Sequence, residues 1–254
     1  MSRPFVLLPP SQAKRPGGRV ARVGDTFGAE LEATRELVRD ALAGVVARAS
    51  ASEGQRVFAA RGATLERAWG TARDLVAGRA LVRPAHERYC GVVWTYLEPA
   101  SLTAAQRRRL LVPSGLYGVT SAQDPVAEYR LGMSVDLAPL GRLDAVWRDP
   151  LSAAVADVAR GATVVNLLPR EHARALDVTT LAGVVRVVDV VFVARGGARA
   201  AGHAAKAVKG ALARRLLEGG VAALDGFAWH GWRVDRARRV EGGRVETVTV
   251  LAPA

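Results

Sequence analysis

The sequence predicts an α/β protein of mixed α+β type, one domain over residues 1–254 with a helical subdomain at about 29–106 inserted after the first strand. Three observations predict it. Short runs rich in β-branched residues recur along the whole chain, whereas one stretch near the front has apolar residues at spacings of three and four. Half of the 254 residues are apolar, enough for a continuous core.

Taken in order, "FVLLPP" (5–10) reads as a short buried strand that the two prolines end, since proline donates nothing to a ladder. "SQAKRPGGR" is a loop. From Ala29 to about Arg79, Leu31, Thr34, Leu37, Val38, Ala41, Leu42 and Val45 mark a helical face. Gly44, Gly54, Gly62, Gly70 and Gly78 divide that region into short helices. A further helix after Pro84 is expected to carry His86, Tyr89 and Trp94. "RRLLVPSGLYG" (108–118) is strand then turn, and "ATVVNLLP" (162–169) and "VVRVVDVVFVA" (184–194) are strands. "RGGAR" signals a hairpin, with 198–203 returning antiparallel before a helix at 204–217. The last alternating stretch turns at "EGG" and forms a terminal hairpin.

Composition narrows the function classes. A net charge of +12 attracts polyanions whatever the fold, and nucleic acid is the first partner to consider. The plain alternative is that solvated faces are simply filled with arginine. Aromatic residues are 6% of the chain and do not alternate with basic ones, so base stacking along a single strand is not indicated. The one cysteine, Cys90, has no partner for a disulfide and no zinc-ligand spacing around it. The apolar run "LAGVVRVVDVVFVA" is broken by Arg186 and Asp189 and is too short to span a bilayer, and no leader pattern opens the chain. A soluble cytoplasmic protein with no metal, no cofactor and no membrane contact is expected.

Three strands end in small, polar, basic loops, after Pro10, Pro113 and Asn166, and such loops gather at one edge of an α/β sheet. Gly115 and Gly118 would let backbone N–H groups form an anion nest there, or would serve only a tight turn. Of the 36 basic residues only Lys14, Lys206 and Lys209 are lysine. Lysine offers a compact charge and an amine that burial can deprotonate, so its retention marks places where a guanidinium does not serve. Helical spacing puts Lys206 and Lys209 on one face beside Gly210 and Ala213, with Ala204, Val208, Ala211, Leu212 and Leu216 turned inward. Two cations in the first turns oppose the helix dipole, which a bound anion would reverse. Ser114 lacks the glycine that a nucleophile elbow has two residues before its serine, and "GGARAAGH" lacks the start of a dinucleotide loop. His86, His172, His203 and His230 show no ligand spacing, although His203 directly precedes the lysine helix.

The order "VLLPPSQAKRPGG", "VPSGLYGV…D…YRLGM" (112–133), "VVNL" (164–167), "HAAKAVKGALARRLL" (203–217) and "GFAWHGWRVD" resembles the bacterial peroxide stress protein YaaA family, in its actinobacterial branch, over nearly the whole chain. The resemblance implies a YaaA-like fold, a central mixed sheet with a helical subdomain containing a helix-hairpin-helix-like element, and a positively charged cleft. It also implies binding to duplex DNA with little sequence preference, and protection against hydrogen peroxide by indirect control of iron-dependent damage. Carried onto this chain, the matching positions are Ser11, Lys14, Ser114, Gly115, Tyr117, Gly118, Asp124, Tyr129, Arg130, Asn166, Lys206, Lys209 and Gly210. The chain departs from the family pattern at Gln12 and Ala13, where a Glu-Gly pair is usual, at "SAQD" (121–124), at Gly132 and at Ala205.

Two functions fit these residues. In the first, Ser11, Lys14, Ser114, Gly115, Tyr117, Gly118, Arg130, Asn166, Lys206, Lys209 and Gly210 line a basic cleft that grips DNA phosphates. In the second, the same crevice is the site of an enzyme acting on an anionic, nucleotide-like small molecule. There Lys14 or Lys206 is the base or nucleophile and Tyr117 the proton donor. An enclosed pocket favours the enzyme, whereas an open groove favours DNA.

Overall fold

A computed structural model describes residues 3–19 and 25–253, with the backbone alone described for 236–242. The first strand, β1 (Phe5–Leu7), ends before the double proline, and Val6 and Leu7 are fully buried. Three helices follow: α1 (Gly28–Arg48), α2 (Ala51–Phe58) and α3 (Gly62–Val76). Ser50 starts α2 by accepting a hydrogen bond from the Glu53 N–H at 3.3 Å, the role a serine at that position favours. Leu31, Val38, Ala41, Leu42 and Val45 of α1 face the core as their spacing predicts, whereas Leu37 is exposed.

Strand β2 (Val82–Pro84) interrupts the helical region and pairs with a later strand. The single helix expected after Pro84 is two, α4 (Ala85–Arg88) and α5 (Val92–Leu97). The break falls at Gly91, whose φ of +127° no helix accepts. Tyr89 therefore sits between the helices, in an extended conformation. After α6 (Ala104–Arg108) come β3 (Leu110–Ser114), β4 (Gly118–Ser121), β5 (Pro125–Ala127), β6 (Asp136–Leu137) and β7 (Gly141–Arg142). Then follow α7 (Leu143–Val146), α8 (Arg148–Val158), β8 (Thr163–Asn166), α9 (Arg170–Ala173), α10 (Val178–Val184) and β9 (Arg186–Val193). The chain closes with α11 (Gly202–Gly219), β10 (Ala228–Trp229), β11 (Trp232–Gly242) and β12 (Val245–Leu251).

Eight of these strands form one mixed sheet in the order β10, β11, β12, β9, β8, β1, β3, β4. β1 is parallel to both β3 and β8, and β8 is parallel to β9. The loops after these four strands thus leave the sheet at the same edge, as the sequence predicts. β11 and β12 are the terminal hairpin around "EGG", and the expected return after β9 is a single antiparallel bridge between Val193 and Arg199. The helix-hairpin-helix-like element is not confirmed: α2 and α3 are a helix pair around the turn 59–61, and no further feature assigns it.

Helix α11 is buried on more of its circumference than its sequence spacing suggests. Ala205, Ala207, Val208, Gly210, Ala211, Leu212, Ala213, Leu216 and Leu217 are all buried, whereas Ala204 is exposed. The cause is α5, which lies against the flank that the sequence assigns to solvent. A methyl group on Gly210 would stand 2.2 Å from the Val93 carbonyl oxygen and 3.1 Å from the Leu97 nitrogen, so only glycine allows this approach. Among the described residues, no helix is long and apolar enough to cross a membrane.

Candidate functional site

Lys14 occupies the loop after β1, and its backbone pairs with Tyr89 in an isolated antiparallel bridge. That bridge carries the break between α4 and α5 to the edge of the sheet. The Ser11 hydroxyl donates to the Cys90 carbonyl, and the Cys90 N–H donates to the Ala13 carbonyl at 3.2 Å. With its loop fixed on both sides, Lys14 folds back so that its ammonium donates to the Ser11 carbonyl at 2.8 Å. The same nitrogen stands 4.1 Å from the centre of the Tyr129 ring and 5.5 Å from that of Tyr89. Both rings are within cation–π range.

The two phenols join by a hydrogen bond of 2.9 Å, and Tyr129 also meets the Ser114 hydroxyl. Burial raises the pKa of Tyr89 and of Tyr129, so both remain protonated at neutral pH. Tyr117 stands one layer behind, its ring edge-on to Tyr129 at 5.6 Å. Its hydroxyl accepts from the Ala127 N–H at 3.0 Å, and burial raises its pKa too.

Lys14 forms one wall of a pocket of about 280 Å³, which Gln12, Thr64, Arg67, Glu128, Tyr129 and Arg130 help to line. Arg67 is at the rim and pairs with Glu128 at 2.6 Å. Arg130 reaches from the opposite side, donating to the Phe58 carbonyl at 2.7 Å, the Ala59 carbonyl at 3.0 Å and the Gln12 side chain at 3.3 Å. Beneath lies Arg88, fully buried, whose guanidinium donates to the carbonyls of Val126, Gly17, Leu81 and Arg15. Among the described residues no carboxylate is within ion-pair distance of Arg88, so its charge is met chiefly by carbonyl dipoles, with Glu128 favouring it from further away. Burial lowers the Lys14 pKa to about 7, Arg130 and Arg88 adding to the shift and Glu128 opposing it. Near neutral pH this amine therefore exists in both protonation states.

Of the residues picked out by sequence, Lys14 and Arg130 share the pocket and Ser11 orients Lys14. Ser114 and Tyr117 belong to the layer behind, where the Ser114 hydroxyl accepts from the Tyr117 N–H at 3.1 Å. That bond takes a donor the anion nest would use. The two glycines of the turn face protein: Gly118 lies against the Trp147 ring and Gly115 against the carbonyls of Leu131 and Gly132. Asp124, buried, accepts from Thr26 and from the Ser121 N–H, a turn-forming role.

Asn166 and Lys209 form a second cluster. The Asn166 amide donates to Asp189 at 2.8 Å, and its oxygen accepts from the Leu168 N–H at 3.0 Å. Lys209 lies over the Phe192 ring at 5.2 Å, and burial lowers its pKa to about 8, with Arg199 adding and Asp189 opposing. His172 is close enough for Lys209 to depress its pKa further below the value that burial sets, and its buried Nδ1 has no hydrogen-bond partner. Lys206, one turn earlier on α11, is exposed. The two lysines thus differ in burial, and neither lines the Lys14 pocket. Gly210 packs on α5 and leaves no open space beside them. Sequence reading did not assign Tyr89, Arg88, Arg67 or Glu128 to the site. Tyr129 belongs to the family-matched positions in the "YRLGM" signal but was not given a place in the cleft.

Among the described residues no His, Cys, Asp and Glu side chains group so as to hold a metal ion. The family model described as "Peroxide stress protein YaaA" matches residues 5–238 of the chain. A UPF0246 protein of Streptomyces coelicolor is 33% identical over 263 residues, which cover 97% of this chain and 98% of that relative. A UPF0246 protein of Ruegeria sp. is 35% identical over 158 residues, 57% of this chain and 63% of that protein. One of Corynebacterium glutamicum is 34% identical over 140 residues, 52% of this chain and 54% of its own.

Proposed function

The chain belongs to the family of peroxide stress protein YaaA, and from that premise we propose that it is a cytoplasmic duplex-DNA-binding protein of the peroxide response. It grips phosphates along α2, α3 and Arg130 with little preference for base sequence. The observation that carries this reading is the placement of Arg130. Its guanidinium donates to the Phe58 and Ala59 carbonyls, and Ala59 lines a second hollow of about 430 Å³ together with Arg56 and Arg61. Arg56, Arg61 and Arg130 have no carboxylate within ion-pair distance among the described residues, and Arg56 and Arg61 are exposed. An unpaired run of guanidinium groups on a chain of net charge +12 suits a polyphosphate backbone.

The test is duplex affinity as a function of salt. Each phosphate contact contributes about −0.9 to the slope of log affinity against log salt, so three arginines give a slope of about −3. Arg56→Ala with Arg61→Ala is expected to flatten it by about 2. Absence of binding at low salt, or a slope that the double variant leaves unchanged, would overturn the reading. A second reading, an enzyme acting on a small anionic molecule, is favoured by one observation: Lys14 lines a half-open pocket, and burial lowers its pKa to about 7.

A further inference from the structure

We propose that the Lys14 pocket captures an aldehyde carried beside a phosphate, the ε-amine of Lys14 adding to the carbonyl carbon to form an imine. The inference deepens the DNA reading and rests on it for one of its two possible substrates.

The pocket holds about 280 Å³, near the lower end of the range of small-molecule sites, so it takes a sugar-sized group and excludes a duplex. Lys14 stands at its wall, and the three contacts of the nitrogen leave it free to react: two aromatic faces and the Ser11 carbonyl. A carboxylate would hold it as an ammonium ion, but Glu128, the acid that lines the pocket, is bound to Arg67. Arg130 on one side and the buried Arg88 beneath oppose a third positive charge. The lowered pKa, about 7, is the consequence, and a neutral amine is the nucleophile that carbonyl addition needs. Arg130, on the same pocket and with no carboxylate within ion-pair distance among the described residues, supplies a guanidinium group for the neighbouring phosphate.

The step balances without a further reagent. The nitrogen lone pair forms the C–N bond, the carbonyl oxygen takes both amine protons in turn, and it departs as water, leaving a C=N bond. Two sources carry this chemistry: the ring-opened deoxyribose at a base-free position in DNA, and a free sugar phosphate.

The experiment incubates the full-length protein with cyanoborohydride and either a duplex containing one base-free deoxyribose or free 2-deoxyribose 5-phosphate. Adducts are mapped by mass spectrometry. The chain has only three lysines, so the position is unambiguous. The expected result is a reduced adduct at Lys14, forming faster as pH rises through about 7 and absent from a folded Lys14→Arg variant. Trapping of the duplex identifies damaged DNA as the substrate, and trapping of the sugar phosphate alone identifies a free metabolite. Adducts only at Lys206, Lys209 or the N-terminal amine, or none, would overturn the proposal. Affinity for an intact duplex, measured alongside, separates the two readings. A protein that fails to bind intact DNA yet traps the sugar phosphate at Lys14 refutes the DNA function and leaves the pocket chemistry standing.

Discussion

The Lys14 ammonium nitrogen lies 4.1 Å from the centre of the Tyr129 ring while it donates to the Ser11 carbonyl at 2.8 Å. A cation so placed gains from both neighbours but loses most of its hydration, and the loss wins: burial is the leading cause of its lowered pKa.

That shift has a consequence for stability with a definite sign. The unfolded chain holds the Lys14 proton up to about 10.5, whereas the folded protein releases it above about 7. Between those values the unfolded state binds more protons, so stability rises with pH. Below 7 both states are protonated and the full cost of burying the ammonium is present. Lys14→Met is therefore expected to be more stable than the parent at pH 6, by roughly a few kcal/mol, with the advantage shrinking toward pH 10. Urea unfolding across that range checks it. A difference that stays constant with pH would show that Lys14 is hydrated in the folded state.

Lys209 follows the same logic one step later. Burial over Phe192 lowers its pKa to about 8, so the window in which stability rises opens near 8 and closes near 10.5. Lys209→Met is expected to show its pH-dependent gain over that narrower interval. A gain that stays constant from about pH 8 to pH 10.5 would show that Lys209 is hydrated in the folded state, contrary to the structure.

Strands β8 and β9 were legible from their β-branched runs "TVVN" and "RVVDVVFV", and α1 from its regular spacing, whereas the short strands β2, β5, β6 and β7 carry no such run and were not read. The site was half legible. Lys14 stood out as one of three lysines, and Arg130 lay in a recognisable signal. Arg88 could not be told from the other arginines, because its burial arises from four carbonyls contributed by segments far apart in the chain. Tyr89 was read as helical, and only the Gly91 break and the backbone bridge to Lys14 bring it beside that lysine. The difference in burial between Lys206 and Lys209 was hidden for a similar reason. Helical spacing gives relative direction, but the burial of Lys209 depends on Phe192 of β9, which lies over its side chain and which no pattern within α11 encodes.

Arg35 anchors the turn that carries Tyr117. It is 2% exposed, pairs with Asp25 at 2.6 Å, and donates to the carbonyls of Tyr117 at 3.0 Å and Val119 at 3.2 Å. Arg35→Ala leaves one carboxylate unpaired and two carbonyls without these donors, for an expected loss of about 3–5 kcal/mol. Arg39, in an equally short pair with Glu32, is 40% exposed, and Arg39→Ala is expected to cost less than about 1 kcal/mol. Chemical denaturation at low and high salt separates them. The Arg35 effect should persist in high salt, whereas the Arg39 effect should fade.

Two glycines in helices give opposite expectations for the same substitution. A methyl group on Gly210 collides with the Val93 carbonyl at 2.2 Å, and the obstacle is backbone, so α11 and α5 must move apart. Both helices are buried there, and Gly210→Ala is expected to destabilise the protein by about 1–3 kcal/mol or more. Gly70, inside α3, has nothing within 4 Å of the same position. Gly70→Ala gains helix propensity and restricts the unfolded chain, for an expected gain of about 0.5–1 kcal/mol. Thermal unfolding of the two variants beside the parent decides the matter. If Gly210→Ala were as stable as Gly70→Ala, the close contact between α11 and α5 would not exist, and Gly210 would again be available to line an open site beside Lys209.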